Sequence, residues 1–173
     1  MPGLLDPIEV KGLRLKNRIA MPPMANYLAT EDGEVTEKLI GHYSARAEAE
    51  VALLIVEHSY VAKRGQMKQN QLGIHEDSLV PGLRGLVDEV HRLGEKIGIQ
   101  INHAGSNRAF NPTGEPALAP SPVKHPRWEG IPQELSTDDL VALVAAFVRA
   151  ARRAVQAGFD MVEVHGAHGY LLN

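Results

Sequence analysis

The segment His165-Gly-Ala-His168-Gly-Tyr170 sets two imidazoles three positions apart among glycines, with a phenol two positions further on. If it opens the first turn of a helix, both histidines lie on one side of that turn. Neutral imidazoles so placed can donate two N–H bonds to one carbonyl or nitro oxygen, and the phenol can give up a proton close by. The same spacing also fits a polar loop carrying surface histidines, or part of a zinc site, since imidazole is a common ligand. The segment offers no cysteine and no obvious third ligand for a metal.

These residues need a strand that delivers them and a scaffold that aims them. Asp160 to His165 contains a short β-branched run and follows Gly158, so it reads as a strand leaving a long helix. Ser136-Thr-Asp-Asp139 starts that helix, and Leu140, Val144, Phe147, Ala151 and Val155 form its apolar side. Earlier in the chain the same alternation recurs. Ile8–Val10 and Leu13–Leu15 flank Lys11-Gly12 and predict a β-hairpin. Arg18–Met21 is a short strand that must leave its sheet at Pro22-Pro23. Thr36 to Ala49 has helical spacing. Residues 51–56 form a continuous apolar run, which marks a strand buried on both faces and ended by Glu57-His58-Ser59. A polar loop from Ala62 to Ser78 leads to a helix from Pro81 with Leu83, Leu86, Val87, Val90 and Leu93 on one face. Lys96 to Asn102 is the next strand. A Pro-rich loop from Ser106 to Glu134 follows, and loops of such length inside a domain usually carry function or move. His42, His75, His91 and His125 read as surface residues, and Glu57 and Glu163 as interior structural carboxylates.

The order is a hairpin followed by β-α-β-α-β-α-β, which implies a parallel sheet with right-handed crossovers. No Gly-x-Gly-x-x-Gly follows the first strand, so a dinucleotide-binding Rossmann domain is not supported. Every strand instead ends in polar or glycine-rich residues, which suits a (β/α)8 barrel with its site at the C-terminal mouth. Four strands do not close such a barrel. The expectation is therefore an N-terminal half of something longer; an open four-stranded doubly wound sheet is the alternative.

Composition narrows the function classes. The chain has 173 residues, 44% hydrophobic and 23% charged, which are globular values. Its net charge is −3 and it has no basic cluster, arguing against nucleic acid. No signal peptide is visible, and the longest apolar run, Leu140 to Val148, is far too short to span a bilayer. The absence of cysteine removes disulfides, thiolate catalysis and iron–sulfur ligation from this chain. A cytoplasmic protein with no membrane partner is expected.

Together, Leu15-Lys-Asn-Arg-Ile-Ala-Met-Pro-Pro-Met24, Leu54-Ile-Val-Glu57, Gln100-Ile-Asn-His-Ala-Gly105 and His165-Gly-Ala-His-Gly-Tyr-Leu-Leu-Asn173 resemble the Old Yellow Enzyme family. That family comprises FMN-dependent (β/α)8-barrel ene-reductases and related NADH:flavin oxidoreductases. The resemblance spans essentially the whole chain and implies one FMN-binding TIM-barrel domain, with residues 1–173 as its N-terminal part. It implies that Pro23, Met24 and Ala25 line the flavin, that His58 offers it a backbone N–H, and that Gln100 hydrogen-bonds its pyrimidine end. His165 would border both flavin and substrate. With His168 it would hold the substrate's electron-withdrawing oxygen, while Tyr170 would donate the proton and Tyr27 would line the substrate pocket. Two residues depart from the pattern: Ala25 stands where Thr or Cys is frequent, and His58 where a small residue is common. The family's phosphate-gripping loops and a flavin-contacting Arg come from later strands.

The implied activity is reduction of the activated C=C bond of α,β-unsaturated carbonyl compounds with NADH or NADPH. The alternative is the larger 2-enoate or dienoyl-CoA reductase type, which adds an iron–sulfur cluster, with ligands beyond residue 173, and a dinucleotide domain. An inactive half-barrel module is a third. Expected partners are a small enone-type substrate and the missing C-terminal half, or further copies of the chain.

Overall fold

The computed structural model describes residues 1–173. At the N-terminus β1 (Ile8–Val10) pairs antiparallel with β2 (Leu13–Leu15). Lys11 and Gly12 join them at φ 48° and 85°, the paired positive angles that suit a two-residue hairpin. Then follow β3 (Ala20–Met21), α1 (Glu37–Glu48), β4 (Leu53–Tyr60), α2 (Val80–Arg92) and β5 (Lys96–Asn102). A minor pair, β6 (Leu118–Ala119) and β7 (Gln133–Glu134), precedes α3 (Thr137–Ala157) and β8 (Met161–Val164). The strands β3-β4-β5-β8 make one sheet in that order, parallel throughout. This is the expected hairpin plus four parallel strands.

One face of the sheet carries the helices. Leu54, Val56, Ile97, Ile99 and Ile101 join Leu39 and Tyr43 of α1, Leu83, Leu86, Val87 and Val90 of α2, and Ala146, Ala150 and Ala154 of α3 in a single core. On the opposite face Leu15, Ala52 and Leu53 form a small cluster with Ile8 and Leu13, so the hairpin closes the end of the sheet where the strands begin. Gly98 belongs to this inner side. A Cβ there would stand 2.4 Å from the Met161 side chain, so glycine leaves the room Met161 occupies. Asp160 ties β8 to β5, accepting from Lys96 Nζ at 2.8 Å and from the Ile97 N–H at 2.9 Å.

Several expectations need correction. Strand β4 does not stop at Glu57: it passes through an irregularity between Val56 and Ser59 and pairs again, Ser59 with Ile101 and Tyr60 with Asn102. Polar residues continue the strand, and most of their polar atoms find buried partners, such as Gln71 for His58 and the Tyr43 hydroxyl for the Glu57 N–H, while Glu57 Oε1 has none. Residues 62–78 are more than a polar loop, since Gln66, Gln71, Leu72 and Ile74 are fully buried and short helical turns sit at Lys63–Gly65 and Asp77–Leu79. His75 is not a surface residue, because its ring stacks on Tyr60 with centroids 4.7 Å apart. The buried face of α3 is also different from the one expected. Leu143, Ala146, Ala150, Ala154 and Ala157 pack inward, while Leu140, Val144 and Val155 remain 51%, 65% and 73% exposed. Alanines let the helix approach α2 and the sheet closely, so the bulkier stripe points away. The helix is bounded as the sequence suggests, by a Ser136–Asp139 capping box and by Gly158 at φ 96°. No helix is long and apolar enough to cross a membrane.

Candidate active site

The C-terminal halves of the four parallel strands open onto a cavity of about 770 Å³. Pro22, Pro23, Ala25 and Tyr27 reach it from the segment after β3, His58 from β4 and Gln100 from β5. Glu163 on β8 and the turn from His165 to Tyr170 complete the wall. Met24 is the one predicted site residue outside this lining, and it is 52% exposed.

His58 is held from behind. Its Nδ1 lies 3.0 Å from Gln71 Nε2 and 3.1 Å from Asn102 Nδ2. The Met67 N–H donates to Gln71 Oε1 at 2.7 Å, which turns the amide nitrogen of Gln71 toward the imidazole. Nδ1 is therefore an acceptor, and the ring is neutral with its proton on Nε2. Burial, with His165 and His168 nearby, pushes the His58 pKa down to about 4. The ring stacks on Tyr170 at 5.3 Å between centroids and meets His165 edge-on at 6.1 Å.

The segment after β8 does not open a helix. The His165 N–H still donates to Ile101 O at 3.1 Å, extending the strand pairing, and the chain then turns through His168 and Gly169 at φ 62° and 68°. A turn therefore brings the imidazoles together, with centroids 5.2 Å apart and planes at 82°. His165 is buried while His168 is exposed, so one ring is fixed in the wall and the other faces the opening. Burial, then His168, lowers the pKa of His165. Tyr170 packs edge-on against His165 at 5.1 Å, and burial, then Tyr27, raises its pKa.

Tyr27 sits at φ 55°, a costly angle for an aromatic residue. Glu57 supports it, with Oε2 accepting the Asn26 N–H at 3.1 Å and the Tyr27 N–H at 3.5 Å. Burial pushes the Glu57 pKa up to about 7 against those two bonds. Lys68 Nζ stands 4.5 Å from the centre of the Tyr27 ring. Gln100 gives its amide nitrogen to Glu163 Oε1, leaving its oxygen as the acceptor. Sequence reading missed Gln71, Asn102 and Lys68. Asn102 was within reach, because it falls two positions after Gln100 on one strand face; Gln71 and Lys68 lie in a loop whose path no local pattern predicts.

Residues 3–173 match the family model described as the NADH:flavin oxidoreductase / NADH oxidase family. The chain belongs to that family. An NADPH dehydrogenase from Geobacillus sp. (strain WCH70) is 44% identical over 171 residues, which are 98% of this chain and 49% of that protein. Another NADPH dehydrogenase, from Clostridium acetobutylicum, is 38% identical over 170 residues, 98% of this chain and 50% of that protein. Among solved structures, Old Yellow Enzyme from Pichia sp. AKU4542 superposes with a TM-score of 0.89 at 34% identity, over 97% of this chain and 47% of that one. Morphinone reductase gives 0.91 at 30% identity, over 99% and 51%. The chain thus spans about half the length of the relatives it matches, and its sheet is an open half of their TIM barrel.

Proposed function

We propose that the protein of which this chain is part is an FMN-dependent oxidoreductase that reduces the activated C=C bond of α,β-unsaturated carbonyl compounds with NAD(P)H. The observation that carries this reading is the meeting of two imidazoles and a phenol, His165, His168 and Tyr170, at the mouth of a cavity in a member of a flavin oxidoreductase family.

The cavity residues fit the ring portion of a flavin. Its volume lies within the roughly 300–1,000 Å³ usual for a ligand pocket. Pro22, Pro23 and Ala25 give it an apolar wall, and Gln100 keeps a free amide oxygen for an imide N–H. Pro23, Ala25, His58, Gln100 and His165 would hold that ring, with Met24 beside it; none of these is a cationic grip for a phosphate. When bound, FMN supplies hydride to the β-carbon of the substrate. The protein's part is positioning and polarisation. His165 and His168 donate N–H bonds to the activating oxygen, where negative charge develops, and Tyr170 protonates the α-carbon. Tyr27 covers the substrate side. Burial favours the neutral form of His165, which still has one ring N–H to donate and leaves the proton delivery to Tyr170.

The test is made on the full-length protein. It is expected to purify yellow, and His165→Ala or His168→Ala should keep the flavin while losing on the order of 2–4 kcal/mol of transition-state stabilisation toward enones. A double variant that turns over enones at the parent rate, or a folded colourless protein that cannot be loaded with FMN, would overturn the proposal.

A further inference from the structure

The exposed imidazole of the pair stands on a peptide unit that is gripped from both sides. Asn107 Nδ2 donates to the His168 carbonyl at 3.0 Å, and the Gly169 N–H donates to Asn173 Oδ1 at 2.9 Å. The two residues it joins both have left-handed backbone angles, φ 62° at His168 and 68° at Gly169. Such an angle is uncommon outside glycine, though histidine adopts it more readily than most, and it persists where its surroundings determine it.

Asn107 is itself oriented. Trp128, from the middle of the long loop between β5 and α3, donates its Nε1–H to Asn107 Oδ1 at 2.8 Å. Indole N–H can only donate and a carbonyl can only accept, so the Asn107 amide has one permitted orientation between them. Its backbone is also set, by an N–H bond to Ala104 O at 3.1 Å directly after β5. The contacts thus run in series from loop to amide to the backbone of His168.

We infer that Asn107 and Trp128 are positioning residues for the imidazole pair, and that the long loop acts on the site through them. The inference rests on the proposed role of His165 and His168 as donors to a ligand oxygen. It places ligand affinity under the control of a residue outside the lining of the cavity. It also gives the loop a task that its length alone does not specify.

Asn107→Asp separates the two ends of the relay, because a carboxylate still accepts from Trp128 but cannot donate to the His168 carbonyl. Asn107→Ala removes both contacts without adding charge, and Trp128→Phe removes only the orienting donor. The probe is 4-hydroxybenzaldehyde, titrated by calorimetry into the full-length flavin-loaded protein. Both Asn107 variants should bind it about tenfold or more weakly, with Trp128→Phe intermediate and flavin content unchanged. Repeated in a His168→Ala background, the Asn107 substitutions should cost nothing further. Parent-like affinity in both Asn107 variants overturns the inference, as does a loss of equal size with and without His168. If His165→Ala and His168→Ala themselves leave affinity intact, the underlying site reading fails and the relay falls with it; if they weaken binding while the Asn107 variants do not, only the relay is wrong.

Discussion

At the scale of single residues, burial decides protonation. His58 sits at about 4 and Tyr170 above its ordinary value, so at neutral pH the pocket presents an uncharged imidazole beside an intact phenol. If Tyr170 is the proton donor proposed above, replacing it with Phe should slow enone reduction while sparing the preceding flavin reduction by nicotinamide, which would not draw on its proton; stopped-flow traces that slow equally in both would contradict this. His75 gives a second prediction, away from the cavity. Burial lowers its pKa from 6.5 to about 4, and neither ring nitrogen has a hydrogen-bond partner. The unfolded chain takes up this proton first as pH falls, so the stability tied to the neutral ring is full above 6.5 and is lost toward 4. His75→Phe should gain stability relative to the parent at pH 5 compared with pH 8. Denaturant titrations showing the same difference at both pH values would refute it. Glu57 runs the other way: its carboxyl is raised from 4.5 to about 7, so its contribution is present below 4.5 and is lost as pH rises through 7.

At the scale of elements, α3 is the instructive case. Its apolar residues occupy more than half its circumference, and the alanine stripe is the one that packs. Ala150 is fully buried there. Ala150→Leu should cost about 1–3 kcal/mol by overpacking the contact with α2 and the sheet. Urea unfolding of the full-length protein measures this, and an unchanged midpoint would mean the helix does not seat as described. The bulkier stripe contributes to a groove of about 480 Å³ lined by Leu140, Val144, Phe147, Val148, Val164 and Leu172. That groove lies beside β8, at one end of the sheet order.

For the whole molecule, the sheet has two open edges, β3 and β8, and relatives twice as long continue beyond this chain. We propose that residues 1–173 are the N-terminal part of a single FMN-binding barrel domain. Bare strand edges and an apolar groove favour association. Produced alone, the chain should therefore sediment as an oligomer and hold FMN weakly, for want of a phosphate grip. A stable monomer with stoichiometric FMN would show that the rest of the barrel is not needed for either property.

Much of this was legible in the linear chain. Periodicity located the four parallel strands, the three helices and the hairpin, because doubly buried strands and amphipathic helices each have a local repeat. The motifs at strand ends pointed to one mouth, and His58, Gln100, His165 and Tyr170 do meet there. Other features depend on contacts between distant segments. Which stripe of α3 packs was hidden because apolar residues ring most of the helix and only the neighbours choose. The extension of β4 past Glu57 depends on the Ile101 and Asn102 partners forty residues away. The tautomer of His58 is set by Gln71 and Asn102, and the backbone of His168 by Asn107 and Trp128, and neither can be read from spacing. Local repeats identify elements because their causes are local; the aim of a side chain and the place of its proton belong to whatever the fold brings beside it.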